Sequence, residues 1–327
     1  MPSCAATFDA DGNDTTKIHV FYNEELNKNL GLLFRNERDG GQAQYNNFSS
    51  GEDAVPGSII KKSYLAATKF NNQDFVFAVT DKKSVSANQS GHTDKNGCKC
   101  PPDAKEVDLS LVSPVYKIFS PSVYSDNYRI AACSSKTDNW IYYLKKKDND
   151  LNLYEATIGN GSDNEYTELT KLAPNSALAA WYGTVDEKRH IVYQSTAGPN
   201  NLYEFTADSP NDSLFFSPLI EDNRQIDQAA AAKSNTSVAV TVTQNGVYLY
   251  YINTNKRVSR VSKSLDEKAE FANYTVVKSC TNNAADDAQL TVTLAGDDIH
   301  IFYTAENQNK QNVVSHFVDK NPPKPAQ

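Results

Sequence analysis

The feature that most constrains this chain is a strand pair written six times. Short runs of small and β-branched residues recur at Cys4-Ala5-Ala6-Thr7, Leu65-Ala66-Ala67-Thr68, Ile130-Ala131-Ala132-Cys133 and Leu178-Ala179-Ala180-Trp181, with looser copies at Val238-Ala239-Val240 and Leu290-Thr291-Val292. Each is followed by a short polar connection and an aromatic-rich run. These read Ile18 to Tyr22, Phe75 to Val79, Trp140 to Tyr143, His190 to Tyr193, Val247 to Tyr251 and Ile299 to Tyr303. Third strands follow at Leu153 to Glu155, Leu202 to Glu204, Val258 to Arg260 and Val313 to His316. Successive copies lie about 50 to 65 residues apart, the spacing of sheet blades around an axis. The pattern predicts an all-β chain folded as a six-bladed β-propeller. Six inner strands crowd the central channel, and small side chains let them do so.

The repeat fills 327 residues so fully that a single domain over 1–319 is expected, followed by a frayed polar tail at 320–327. Tyr (18) and Phe (14), with Val and Thr, suit half-buried strands. A net charge of −8 leaves no basic stripe for nucleic acid, since Lys145-Lys146-Lys147 is flanked by Asp148 and Asp150 as a solvated hairpin tip would be. No run reaches the apolar length of a membrane span. Loops near Gly91 to Pro102 and Glu221 to Ala232 are long enough to act as lids.

Seven Asn-x-Ser/Thr sequons begin at Asn13, Asn47, Asn88, Asn160, Asn211, Asn235 and Asn273, and most fall at expected hairpin tips. They point to a secreted glycoprotein whose leader has been removed, since Met1 stands just before the first strand. Five cysteines leave at least one unpaired. Cys98-Lys99-Cys100 lacks the further ligands that a closed zinc site needs, and is read as a loop staple to Cys133 or Cys280, or as unbonded.

The second and third strands together resemble those of the fungal fucose-specific lectins, six-bladed propellers whose blades carry Ile-Arg-Val-Tyr-Tyr-Gln and then Ile-x-Glu. The best matches are His190 to Gln194 with Leu202-Tyr203-Glu204, and Trp140 to Tyr143 with Leu153-Tyr154-Glu155. The resemblance implies that the Arg and Glu slots hold sugar hydroxyls jointly while an aromatic ring covers the apolar sugar face. Here the Arg slot reads His19, Val76, Trp140, His190, Tyr248 and His300, and the Glu slot reads Glu155, Glu204, Arg260 and His316 in the last four blades. Not one copy keeps Arg, so multivalent fucose binding is not expected. One altered sugar site remains in the fourth blade, made of His190, Glu204 and a stacking Trp181.

Neither a nucleophile elbow, a His-Glu-x-x-His run nor a phosphate-binding glycine loop occurs. Asp286-Asp287 and Asp297-Asp298 read as turn residues, and His300 with His316 reads as a cross-strand pair too small for a metal site. This pattern suits a reaction that needs a shaped pocket and a few donors but no cofactor or metal. In general character the chain is similar to fungal hetero-Diels–Alderases of tropolone sesquiterpenoid pathways. That resemblance implies a pericyclase joining a tropolone ortho-quinone methide to a humulene-type alkene. His190, Tyr248, Arg129 and Arg260 would then be donors, and Trp140, Trp181, Glu155, Glu204 and His300 would line the substrate. The pericyclase is the primary expectation and a divergent fucose-type lectin the alternative. The expected partner is thus a polyketide or terpene small molecule, or a glycan.

Overall fold

A computed structural model describes residues 3–9, 17–24, 29–35, 44–47, 59–81, 106–115, 117–124, 128–147, 150–158, 160–166, 169, 172–196, 202–207, 220–227, 232–266, 268–306, 312–320 and 322–325. The first blade is β1 (Cys4–Phe8), β2 (Ile18–Glu24), β3 (Asn29–Arg35) and β4 (Gln44–Asn47). The second is β5 (Leu65–Phe70), β6 (Gln73–Asp81), β7 (Glu106–Ser113) and β8 (Lys117–Tyr124). The third is β9 (Ile130–Ser134), β10 (Asn139–Lys147), β11 (Asp150–Thr157) and β12 (Asn160–Tyr166). The fourth is β13 (Leu178–Tyr182), β14 (Arg189–Gln194), β15 (Leu202–Ala207) and β16 (Ile220–Gln225). The fifth is β17 (Val238–Thr243), β18 (Gly246–Ile252), β19 (Val258–Lys263) and β20 (Ala272–Val276). The sixth has three strands among the described residues: β21 (Leu290–Ala295), β22 (Asp298–Glu306) and β23 (Asn312–Asp319).

Every blade is an antiparallel meander, and the inner strands β1, β5, β9, β13, β17 and β21 contact one another in cyclic order, closing the ring. This is the six-bladed propeller expected from the repeat. Tight turns enforce the meander. Asn71 and Asn72 take positive φ (50° and 59°) in the β5–β6 hairpin, as a two-residue turn of the primed kind requires. Gly296 (φ 63°) does the same between Ala295 and Asp298.

No single core runs through the molecule. The buried apolar residues form one cluster per blade junction, because each sheet buries its two faces against two neighbours. Around the axis, Ala5, Ala66, Ala131, Ala179 and Ala239 line a narrow channel of about 110 Å³. Side chains from the strand starts tie its wall together. Gln289 Oε1 accepts from Cys4 N and its Nε2 donates to Leu65 O, while Arg129 donates to the carbonyls of Thr236 and Asn235.

Several expectations need correction. The stretch read as a long loop from Glu221 begins inside β16, the outer strand of the fourth blade, and its residues 228–231 lie outside the described residues. The segment after β23 lies against the fifth blade instead of fraying: Tyr248 Oη donates to Pro323 O at 3.3 Å and Pro325 is buried. Cys133 and Cys280, expected as staple partners, are free buried thiols, as is Cys4. Burial pushes the Cys4 and Cys280 thiols up to about 12, which removes the thiolate that exchange requires. Asn160 flanks the two-residue β11–β12 turn as expected, Asn47 and Asn273 stand on the outermost strands β4 and β20, and Asn235 is an exposed turn residue at φ 57°. Asn13, Asn88, Asn211, Cys98, Cys100 and the Gly91–Pro102 loop lie outside the described residues.

Candidate functional site

Strand register decides which side chains share a junction, because a one-residue slip sends a side chain to the opposite face. Position four of each inner strand pairs with His19, Phe75, Trp140, His190, Tyr248 and His300. The second-blade slot therefore holds Phe75 and not Val76. Val76 points the other way, into the junction with the first blade. The third-strand slot lies diagonally from these positions, and Glu155, Glu204, Arg260 and His316 occupy it as expected. The residue just before the first slot proves equally informative. It is Ile18, Asp74, Asn139, Arg189, Val247 and Ile299 in blade order, and it faces the preceding blade.

Between blades three and four, Glu155 does not pair with Trp140. Arg189 Nη1 donates to Glu155 Oε1 at 2.9 Å, and Tyr166 Oη donates to Oε2 at 2.7 Å. Both charged side chains are only 1% exposed. Burial opposes the Arg189 charge, but Tyr142, Glu155 and Tyr166 outweigh it and its pKa is raised. The guanidinium lies 5.2 Å from the Trp140 ring, which itself stacks on Tyr182 at 5.6 Å. These groups form a fully packed ionic seam.

The expected His190–Glu204 pair does form, with Nδ1 2.9 Å from Glu204 Oε1. Two residues that the sequence reading missed complete it. Asp186 Oδ2 lies 2.8 Å from Nε2, and Lys263 Nζ of the fifth blade donates to Glu204 Oε1 at 2.5 Å. With a carboxylate at each ring nitrogen, the imidazole must donate from both, so it is the cation that fits. Burial favours the neutral ring, but the hydrogen bonds to Asp186 and Glu204 prevail and the His190 pKa is raised. Burial likewise opposes ionisation of Glu204 and Asp186, and their His190 contacts, with Lys263 beside Glu204, nevertheless hold both low. Trp181 stacks flat on His190 (4.7 Å, 7°), and Lys263 lies 5.3 Å from its centroid. Only about 20 Å³ of space remains there. Gly183 is part of the closure, since a Cβ on it would stand 2.0 Å from Asp186 Oδ1.

The junction of blades five and six uses the same positions with the charges exchanged. Arg260 stands in the slot where Glu155 and Glu204 stand, and Asp319 of β23 matches Lys263 of β19. Arg260 Nη1 donates to Asp319 Oδ2, which also accepts from Tyr250 Oη at 2.8 Å. Tyr248 lies under the guanidinium at 5.8 Å. Unlike the four–five junction, this one is open. A cavity of about 660 Å³ is lined by Arg260, Thr275, Val277, Lys278, Phe317 and Asp319, among others, with Pro323 at its edge.

The remaining expected residues have local duties. His300 Nδ1 and His316 Nε2 are 2.9 Å apart, and His316 stacks on Phe302. Arg129 sits over Tyr64 at 4.8 Å and ties blade three to blade five at the channel end. His19, at 2.5 Å from Asp74, bridges the first two blades. Among the described residues no group of three or more His, Cys, Asp or Glu side chains is arranged to hold a metal.

No protein-family model matches the chain, and no curated protein matches it. Among solved structures it is similar to AofleA from Arthrobotrys oligospora (TM-score 0.57, 13% identity, covering 98% of this chain and 83% of that one). It is also similar to an Aleuria aurantia lectin variant in complex with α-methyl-L-fucoside (TM-score 0.59, 11% identity, 98% and 96% covered). A third is the SapL1 lectin in complex with α-methyl fucoside (TM-score 0.56, 12% identity, 98% and 97% covered). At these identities the likeness concerns the fold, a six-bladed propeller, and it extends over almost the whole chain.

Proposed function

We propose that the protein is a glycan-binding propeller whose recognition site is the cleft between the fifth and sixth blades. The observation that carries this reading is a charged donor, Arg260, bonded to a charged acceptor, Asp319, on the wall of an open cavity between consecutive blades. Phe317 supplies apolar surface on the same wall. Sugars present many hydroxyls and one weakly apolar face, and this combination meets both needs. The cavity volume falls within the roughly 300–1,000 Å³ of small-molecule sites. Its place between blades is where the lectin resemblance leads one to look, and three solved structures of this architecture are lectins or lectin complexes with fucosides.

The cycloaddition reading needs aromatic walls around an apolar volume. Trp140, Trp181 and Tyr248 are instead packed against Tyr182, His190 and Arg260, so that reading gains no support from them. A glycan array followed by titration calorimetry separates the two. The glycan reading predicts saturable binding at one site per chain. It fails if no glycan binds while a tropolone quinone methide and humulene give an adduct with stereochemistry unlike the enzyme-free control.

A further inference from the structure

We propose, resting on the glycan reading, that the ligand of the five–six cleft is an acidic sugar bearing a carboxylate or a sulfate ester. The first reason is the exchange of charges. Where Glu155 and Glu204 stand in the third and fourth blades, an acid can only accept hydrogen bonds. Arg260 at the same place can only donate them. A ligand seated there must bring acceptor oxygens, and an oxyanion brings the strongest.

The second reason is the balance of charge around the cavity. Asp319 is its sole acidic lining residue, against Arg260, Lys278 and Lys320. Asp319 is already committed to Arg260 and Tyr250, which leaves the exposed Lys278 to set the field at the rim. A cationic rim on a chain of net charge −8 is a local arrangement, not an average property of the surface.

The third reason is an unmet donor. Arg260 is 4% exposed, and its Nε, shielded from solvent, finds no acceptor among the described residues. Nη1 is taken by Asp319. An oxyanion drawn against the guanidinium supplies the missing acceptor, with the planar fork favouring two-oxygen recognition. Thr275 and Ser279 add hydroxyls to the lining, and Phe317 presents a ring to the sugar body.

The test is calorimetric titration of the full chain with D-galacturonate, D-galactose 6-sulfate, neutral D-galactose and α-methyl-L-fucoside. The proposal predicts that an acidic sugar binds at least about tenfold tighter than galactose, the advantage expected of a charge-assisted hydrogen bond. Binding by only one of the two acids identifies the oxyanion. Affinity should fall as salt is raised. Lys278→Glu, an exposed substitution that leaves the packing alone, should weaken acidic binding about threefold or more while sparing any neutral sugar. Arg260→Gln should abolish the acidic preference. Equal binding of galactose and galacturonate, or unchanged affinity in K278E, overturns the acidic ligand and leaves the glycan reading standing. No binding of any of the four sugars, together with a blank glycan array, removes both.

Discussion

The four–five and five–six junctions begin from the same scaffold positions and end in opposite states. At four–five, His190, Asp186, Glu204 and Lys263 satisfy one another, Trp181 caps them, and about 20 Å³ is left. At five–six, the exchanged pair Arg260–Asp319 sits on the wall of about 660 Å³. The difference is one of closure as much as of charge. At both junctions the following blade supplies the counter-charge to the third-strand position, yet one closes into an ionic seam and the other borders an open cavity.

The largest effect should come from the most buried seam. Arg189→Leu leaves Glu155 in the three–four junction without its counter-ion, at a cost of about 3–5 kcal/mol by analogy with other broken buried pairs. Denaturant unfolding would measure it, and a loss below 1 kcal/mol would mean that the seam is hydrated and not a latch. Gly183→Ala should cost less, about 1–3 kcal/mol, by driving Asp186 off His190. Because Gly183 belongs to the four–five junction, the same variant should leave affinity at the five–six cleft unchanged. A matching loss of sugar binding would place the site at the wrong junction.

A smaller effect should appear with pH. His190 is raised above 6.5, so its contribution to stability is complete below about pH 6.5 and lost as pH rises through the higher folded value. Asp186 and Glu204 are lowered from 3.8 and 4.5, so theirs is present above those values and lost as pH falls through the lower folded ones. Thermal unfolding should therefore show a maximum between the two ranges. His190→Gln should flatten the alkaline side of that maximum. A wild-type profile with no alkaline loss would show that the ring is neutral in the fold.

What could be read from the sequence follows from which neighbours a repeat reveals. Alignment of copies places residues within a sheet, so the inner alanines, the His190–Glu204 diagonal and the His300–His316 pair were all legible. It says little about the next blade, and Lys263 and Asp319 each lie 59 residues from their partners. The Val76 slip has a related origin, since a run such as Phe75-Val76-Phe77 has no polar residue to mark its faces. Arg189 did leave a signal. It stands where other copies have Ile18, Val247 and Ile299, and a charge at a position that buries aliphatics demands a counter-charge from across the junction.

The central claim is that recognition belongs to the five–six cleft while four–five is a closed seam. Amide hydrogen exchange with and without saturating galacturonate, repeated with α-methyl-L-fucoside, tests it most directly. The account predicts that whichever sugar binds slows exchange in Thr275 to Ser279 and Phe317 to Lys320, and leaves β13 and β14 unchanged. Protection confined to Trp181 through His190, with β20 and β23 unaffected, would contradict it.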